Sequence, residues 1–182
     1  MSKQSANSAC DVHTFSYLVI LYTGPATQKA SRQLSAQDGI MKAIGSATWK
    51  GTWKEGSGTI STTSDTIKDK RFTFSSRFEG TPGGSPEELL AAALAGCFNQ
   101  ALANNLGMVG SEAERIDTSV SAEVRNDPGE SPAIADLLVS CAAKVSGLSE
   151  EGFAYCAERA RTHCAIARIL RVELRMKATL LS

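Results

Sequence analysis

Residues 85–98 read Ser-Pro-Glu-Glu-Leu-Leu-Ala-Ala-Ala-Leu-Ala-Gly-Cys-Phe, and this stretch predicts the helix around which the rest of the chain is organised. Ser85 is a favourable N-cap, Pro86 suits the first helical position, and Glu88 stands three residues after the cap, as in a capping box. The residues from Leu89 to Ala103 are apolar or small on nearly every side. A helix of this composition is typically buried, so we expect it at the centre of the fold.

Cys97 stands near the middle of this predicted helix, which we expect to end near residues 104–107 with Gly107 as its C-cap. A thiol in a buried helix is ordinarily a core residue, because free cysteine packs as a small hydrophobic side chain. Periodicity therefore leaves two interpretations of Cys97 open, a core residue and a reactive thiol.

The composition excludes several functional classes. The chain has 182 residues, of which 42% are hydrophobic and 21% charged, enough for a core in one domain. Nineteen basic and nineteen acidic side chains cancel, so we expect neither a nucleic-acid nor a membrane partner. Five irregularly spaced cysteines argue against a disulfide framework and favour a reducing, cytoplasmic location. Two histidines without a Cys-x-x-Cys pair predict no metal site.

Residues 1–40 differ from the rest of the chain and are interpreted as a loose N-terminal extension, with the working domain spanning residues 41–182. The apolar run Phe15–Tyr22 is too short to span a bilayer. Two alternatives remain for this run. It is either a packed accessory strand or the core of a weak signal peptide, which would make the protein a secreted one.

Alternating apolar and polar residues predict strands over most of the remaining chain. Ser149 is expected to cap a second helix that runs to about His163. Cys141 falls on the inward face of its strand and is predicted to be a core residue. The helices are not interleaved one per strand, which indicates an α+β fold with mostly antiparallel sheet. The predicted strands span residues 41–53, 59–63, 70–78, 114–125, 133–145 and 172–181, with a short helical segment at 165–170.

Four side chains are candidates for chemistry. Cys164 follows the second helix at a predicted break, Arg77 is expected to end the third strand, and Glu87 opens the central helix that carries Cys97. A guanidinium beside a thiol stabilises the thiolate, which is the nucleophilic form. Each polar residue also has an ordinary interpretation, Arg77 as a surface charge and Glu87 as an acid that complements the helix dipole.

Several motifs together resemble the signature of the OsmC/Ohr family, the osmotically inducible and organic hydroperoxide resistance proteins. They are Ala-Thr-Trp-Lys-Gly at 47–51, Arg-Phe-Glu-Gly at 77–80, Ser-Pro-Glu-Glu-Leu-Leu at 85–90, Ala-Gly-Cys-Phe at 95–98, and the second cysteine, Cys164. The resemblance covers about residues 41–182. It is closer to the OsmC branch, because the arginine lies in the Arg-Phe-Glu-Gly motif just ahead of the helix.

The resemblance implies mostly antiparallel sheets packed around a buried central helix in an intertwined homodimer. It also implies a thiol peroxidase that reduces organic hydroperoxides and protects against oxidative and osmotic stress. Cys97 would be the peroxidatic cysteine and Cys164 the resolving one, while Arg77 and Glu87 would poise the thiolate and Glu88 is a weaker candidate. The family needs no bound cofactor, and an external dithiol, of lipoyl type in one branch, would be the reductant.

Helix geometry adds a prediction about assembly. Glu87 and Cys97 are ten residues apart on one helix, hence about 15 Å along its axis. A glutamate side chain cannot cover that distance. If Glu87 serves a cysteine, it serves Cys97 of another subunit, which predicts an obligate two-fold dimer with sites at the interface.

One position departs from the family pattern. Ala165 follows Cys164 where the family commonly has proline, and alanine favours continuation of the helix through Cys164. Cys156 is a less favoured substitute for the resolving residue, and we expect it to pack in the core. The Ala165 substitution and the N-terminal extension also leave an alternative function, an OsmC-like redox sensor or ligand-binding protein with little turnover.

Overall fold

The computed structural model describes residues 41–181, and those from Lys42 onward belong to one compact unit. The predicted extension, with its apolar run at 15–22, lies outside the described residues. The fold contains two three-stranded sheets, so the predicted α+β class is confirmed. The elements are β1 Gly45–Lys50, β2 Ser57–Thr62, β3 Lys70–Thr73, α1 Phe74–Phe78, α2 Pro86–Met108, β4 Ala113–Arg125, β5 Ala133–Val145, α3 Glu150–His163, a 3-10 turn Ala167–Ile169, and β6 Leu174–Leu181.

The second sheet carries the core. Strand β5 pairs antiparallel with β4 and parallel with β6. Its inward residues, Cys141 among them, pack against one face of α2 and one face of α3, which confirms Cys141 as a core residue. The alternation of the sequence predicted β4 and β5 to within one residue, and Ser149 caps α3 as expected. The largest fully buried side chains are Phe98, Leu94, Leu102, Leu106, Leu137, Val139 and Cys156.

The first sheet has no core of its own. Its strands pair antiparallel in the order β1-β2-β3, with Ala47 opposite Ile60 and Gly58 opposite Phe72. Among residues 41–84, the buried positions are all glycines. Trp49 and Trp53 remain 38% and 51% exposed. A sheet with one apolar face is stable only when that face is covered, and residues 41–181 of one chain do not supply that cover.

The third strand is shorter than predicted. It ends at Thr73, and the following residues form the short helix α1, so the prediction that Arg77 ends a strand is wrong. The reason is a capping box. The Thr73 hydroxyl accepts from the Ser76 N–H at 3.0 Å, and the Ser76 hydroxyl accepts from the Thr73 N–H at 2.9 Å. Phe72 and Phe74 alternate with polar residues as in a strand, and this pattern concealed the capping box in the sequence.

Helix α2 begins as predicted, with the Ser85 hydroxyl accepting from the Glu88 N–H. Its predicted end is wrong, because Gly107 is still helical and the chain leaves the helix after Met108. The left-handed residue is instead Gly110, with φ of +78°. The Ser111 N–H donates to the Leu106 carbonyl there and closes the last turn.

The residues that the structure describes bury only one face of α2, contrary to the expectation of burial on all sides. The opposite face is exposed and consists largely of small residues, among them Ala92, Gly96, Ala103 and Gly107. A Cβ atom built on Gly96 or Gly107 would meet no atom within 4 Å. Helix α2 therefore presents an open face of small side chains. Within the described part of the chain, no helix combines the length and the hydrophobicity that a membrane span requires.

Candidate functional site

The structure brings Cys97 and Cys164 together. Cys97 lies partly buried on α2, and Cys164 lies 3% exposed at the end of α3. Burial raises the pKa of the Cys164 thiol above its ordinary value, and hydrogen bonding and charge from Cys97 raise it further, against the opposing effect of the Ala167 N–H. The two thiols are neighbours, both are free, and Cys164 is held in its protonated form at neutral pH.

Cys164 leaves the helix although alanine follows it. Helix α3 ends at His163, and Cys164 adopts an extended conformation with φ of −64° and ψ of 147°. Its sulfur accepts a hydrogen bond from the Ala167 N–H at 3.4 Å, in the first turn of the 3-10 segment. The expectation that Ala165 would continue the helix is therefore wrong, because this bond and the 3-10 turn redirect the chain at Cys164.

Arg77 and Glu87 form a second pair. Helix α1 meets the first turn of α2, where Arg77 Nη2 lies 2.5 Å from Glu87 Oε1 and Arg77 Nε lies 3.3 Å from Oε2. The Ser85 hydroxyl donates to Glu87 Oε2 at 2.7 Å. The two side chains are only 26% and 11% exposed. A forked arginine–carboxylate pair of this kind fixes the guanidinium in one orientation.

The electrostatics of this pair keep Glu87 ionised. Burial raises the pKa of Glu87, but hydrogen bonds from Arg77 and Ser85 and the charge of Arg77 outweigh it, so the pKa lies below the usual 4.5. Glu88, the weaker sequence candidate, is exposed and forms no ion pair among the residues that the structure describes. The pair available for chemistry is Arg77 with Glu87.

One chain does not unite the two pairs. Cys97 lies ten residues along α2 from Glu87, which places the Arg77–Glu87 pair about 15 Å away along the axis. The structure thus places Cys97 beside Cys164 and Arg77 beside Glu87. Each of these two pairs is called a half-site, and the two half-sites lie at different parts of the same helix. This is the arrangement that the sequence geometry led us to expect of a single subunit.

Sequence reasoning missed an aromatic cluster around Arg77. The rings of Trp53 and Phe74 have centroids 4.9 Å apart, and those of Phe74 and Phe78 are 5.0 Å apart. The Arg77 guanidinium lies 4.7 Å from the centroid of the Phe78 ring. The spacing of Phe74 and Phe78 by four residues was the available signal, but it becomes visible only once the segment is taken as a helix.

Cys156 stands apart from these half-sites. Cys156 is fully buried, and its sulfur donates to the Asn105 carbonyl at 3.6 Å, so its predicted packing in the core is confirmed. Burial raises its pKa, against a smaller opposing effect of the Arg159 charge. Within residues 41–181, no group of histidine, cysteine, aspartate and glutamate side chains is arranged to hold a metal ion.

Comparison with known proteins shows the family to which this chain belongs. Residues 78–178 match the family described as OsmC-like protein. The chain is 34% identical over 131 residues to the protein named Peroxiredoxin OsmC of Escherichia coli K12, covering 71% of this chain and 90% of that relative. The chain therefore belongs to the OsmC family, and the resemblance seen in its motifs is confirmed.

Solved structures show the same fold at low sequence identity. An OsmC-like protein from Mycoplasma pneumoniae aligns with a TM-score of 0.61 at 12% identity, over 78% of this chain and 99% of that one. The organic hydroperoxide resistance protein OhrB of Bacillus subtilis aligns with a TM-score of 0.54 at 19% identity, over 76% and 98%. The OsmC-like fold predicted from the sequence is confirmed.

Proposed function

We propose that the protein is a thiol peroxidase that reduces organic hydroperoxides to alcohols in the cytoplasm. The observation that carries the proposal is the proximity of the Cys97 and Cys164 thiols, two free cysteines 67 positions apart in sequence. Kinship with a protein named Peroxiredoxin OsmC supports it. The protective role against oxidative and osmotic stress is part of the same proposal.

The reaction has three steps. The Cys97 thiolate attacks the terminal peroxide oxygen, the O–O bond breaks, and the leaving alkoxide takes up a proton to become an alcohol. Cys97 is thereby oxidised to a sulfenic acid. The Cys164 sulfur then attacks the Cys97 sulfur, a disulfide forms, and the hydroxyl leaves as water. An external dithiol, for which a lipoyl-type group is the candidate, then restores both thiols by exchange. The cycle needs no resident cofactor.

The environments of the two cysteines support these roles. Cys164 is buried, and its raised pKa keeps it protonated, so it is poorly suited to attack a peroxide first. It nevertheless lies beside Cys97, where a sulfenic acid would form. Cys97 is the more exposed of the two and is assigned the attack.

The polar pair is proposed to act across a homodimer. Arg77 on α1 is paired with Glu87 in the first turn of α2, and Glu87 is too far along that helix to reach Cys97 of its own chain. Among residues 41–181, nothing covers the first sheet or the small-residue face of α2, and in the proposed dimer a second copy covers both surfaces. Two α2 helices packed antiparallel would bring Arg77 and Glu87 of one subunit to Cys97 of the other, which gives two complete sites.

The aromatic cluster supports an organic substrate. Trp53, Phe74 and Phe78 form one aromatic cluster, with the Arg77 guanidinium over the Phe78 ring, and Trp53 keeps half of its surface exposed. In the proposed dimer this apolar surface would line the site beside Cys97 of the second subunit. An alkyl or aryl group would bury apolar area there, which hydrogen peroxide cannot do.

The test is multiple-turnover reduction of cumene hydroperoxide with a dihydrolipoyl dithiol as reductant. We expect consumption of many equivalents of peroxide per subunit, none with Cys97→Ser, and retained turnover with Cys141→Ala as the cysteine control. Consumption that stops after one equivalent would identify a redox sensor instead. The Ala165 substitution no longer supports that alternative, because Cys164 leaves the helix and lies beside Cys97.

A further inference from the structure

Asn105 links the two helices that carry the cysteines. Its side-chain amide, on α2, donates to the Cys156 carbonyl, on α3, at 3.1 Å. In return the Cys156 thiol donates to the Asn105 carbonyl at 3.6 Å. Cys156 is fully buried and Asn105 is partly buried, so this polar contact lies between packed helices. Neither residue takes part in the proposed redox steps.

The position of this contact matches that of the reactive pair. Asn105 follows Cys97 by eight residues on α2, and Cys156 precedes Cys164 by eight residues on α3. The helices therefore run antiparallel here, with two contacts about 12 Å apart along both axes. Midway between them the same register sets Ala101 against Ala160, and small side chains at that point allow a close approach. Rows of residues at intervals of four pack against each other in this way.

We propose that Asn105 is a positioning residue that sets the register of α2 against α3 and thereby holds Cys97 opposite Cys164. The inference rests on the proposed function, since it concerns how the resolving step is prepared. Leucine, phenylalanine and alanine contacts between helices tolerate a slide, because apolar attraction is non-directional. The Asn105 bond does not, since a slide of one residue, about 1.5 Å, breaks it and leaves the partly buried Asn105 amide without its acceptor on α3.

The register of α2 against α3 matters more for disulfide closure than for the other steps of the cycle. Closing a disulfide requires the two Cβ atoms to come within about 3.5–4.5 Å with a defined dihedral angle. Attack of Cys97 on a peroxide has no such requirement on α3. Loss of the Asn105 bond should therefore slow the attack of the Cys164 sulfur on the Cys97 sulfenic acid and leave the formation of that sulfenic acid unchanged.

The test is single-turnover oxidation of the dimer by cumene hydroperoxide, followed by quenching and intact mass. Asn105→Ala is compared with Asn104→Ala, a matched control whose exposed side chain makes, among the described residues, only a hydrogen bond to Met108 Sδ, at 3.7 Å. In Asn105→Ala we expect sulfenic acid to form at the wild-type rate and the disulfide to close about tenfold more slowly, because one hydrogen bond corresponds to roughly that factor. Asn104→Ala should match wild type in both steps.

A second measurement uses no peroxide. Equilibration with dithiothreitol should show the Cys97–Cys164 disulfide of Asn105→Ala to be about tenfold easier to reduce than in wild type, since its thiols are less well placed to pair. If Asn105→Ala does not fold, Asn105→Ser, whose hydroxyl is too short to reach α3, is expected to show the same effects. If disulfide closure and the dithiothreitol equilibrium of these variants match those of wild type, the role proposed for Asn105 is overturned and the proposed function is not. A wild-type protein that forms no disulfide with peroxide would overturn the proposed function, and the dithiothreitol equilibrium would still decide the role of Asn105.

Discussion

At the scale of single residues, the two cysteines of the candidate site have different environments. Cys164 is buried beside the first turn of the 3-10 segment, while Cys97 is more exposed on the central helix. The periodicity of the sequence identified Cys97 only as a buried thiol, and the resemblance supplied its role and that of Cys164. Asn105 carried no sequence signal, because a lone asparagine near a helix end is ordinarily exposed, and its partner is a backbone carbonyl 51 positions away.

The raised pKa of Cys164 predicts how the resolving step depends on pH. The thiolate is the attacking form, so its population increases with pH until the pH passes the pKa. Burial holds that pKa above the ordinary 9.0. We expect disulfide closure in a single turnover to accelerate throughout the neutral and mildly alkaline range without levelling off. Rapid-quench mass spectrometry across that range measures the rate, and a plateau near neutrality would contradict the assignment.

At the scale of elements, strands β4 and β5 and helix α3 could be predicted because their own residues specify them. Each strand alternates over thirteen residues, and α3 begins at a serine cap. The error at β3 arose because aromatic alternation and a capping box overlap in the same residues, and the capping box determines the local structure. The shorter strand matters for function, since α1 is what directs Arg77 towards Glu87.

The Ser76 hydroxyl should determine how firmly α1 is held. It accepts from the Thr73 N–H and donates to the Gly84 carbonyl at 2.8 Å, which ties α1 to the loop before α2. We expect Ser76→Ala to lower the free energy of unfolding by about 1–2 kcal/mol, as the loss of a helix cap does, and to reduce peroxidase activity through Arg77.

Ser75→Ala is the matched control, because the Ser75 side chain has no hydrogen-bond partner among the described residues. Urea denaturation of both variants measures the stability. Equal losses in the two variants would show that the capping box does not hold α1.

At the scale of the whole molecule, composition and strand order were enough to predict the fold class, and one axial distance predicted that the site is divided. The pairing of β5 with β6 in parallel could not be read from the sequence, because register between distant strands depends on packing that alternation does not encode. The half-covered α2 was misjudged for a similar reason. A sequence shows that a face is apolar or small, but not whether its own chain or a second copy covers it.

Subunit exchange tests the divided site. Arg77→Ala and Cys97→Ser should each be nearly inactive as homodimers. In a mixed dimer, the Cys97 of the Arg77→Ala chain meets an intact Arg77 from the other chain, so one of the two sites is complete. Because random exchange makes half of the dimers mixed, we expect about a quarter of wild-type activity to return. If the mixture stays as inactive as its components, Arg77 of one chain does not serve Cys97 of the other.

The proposed redox cycle, in which the Cys97 sulfenic acid is resolved by Cys164, can be followed by intact mass. One equivalent of cumene hydroperoxide is added to wild type, Cys97→Ser and Cys164→Ser under anaerobic conditions. We expect wild type to lose about 2 Da as the disulfide forms, Cys164→Ser to gain about 16 Da as a trapped sulfenic acid, and Cys97→Ser to remain unchanged. A wild-type mass that does not change would contradict the proposed cycle and leave Cys97 as a core residue of the fold.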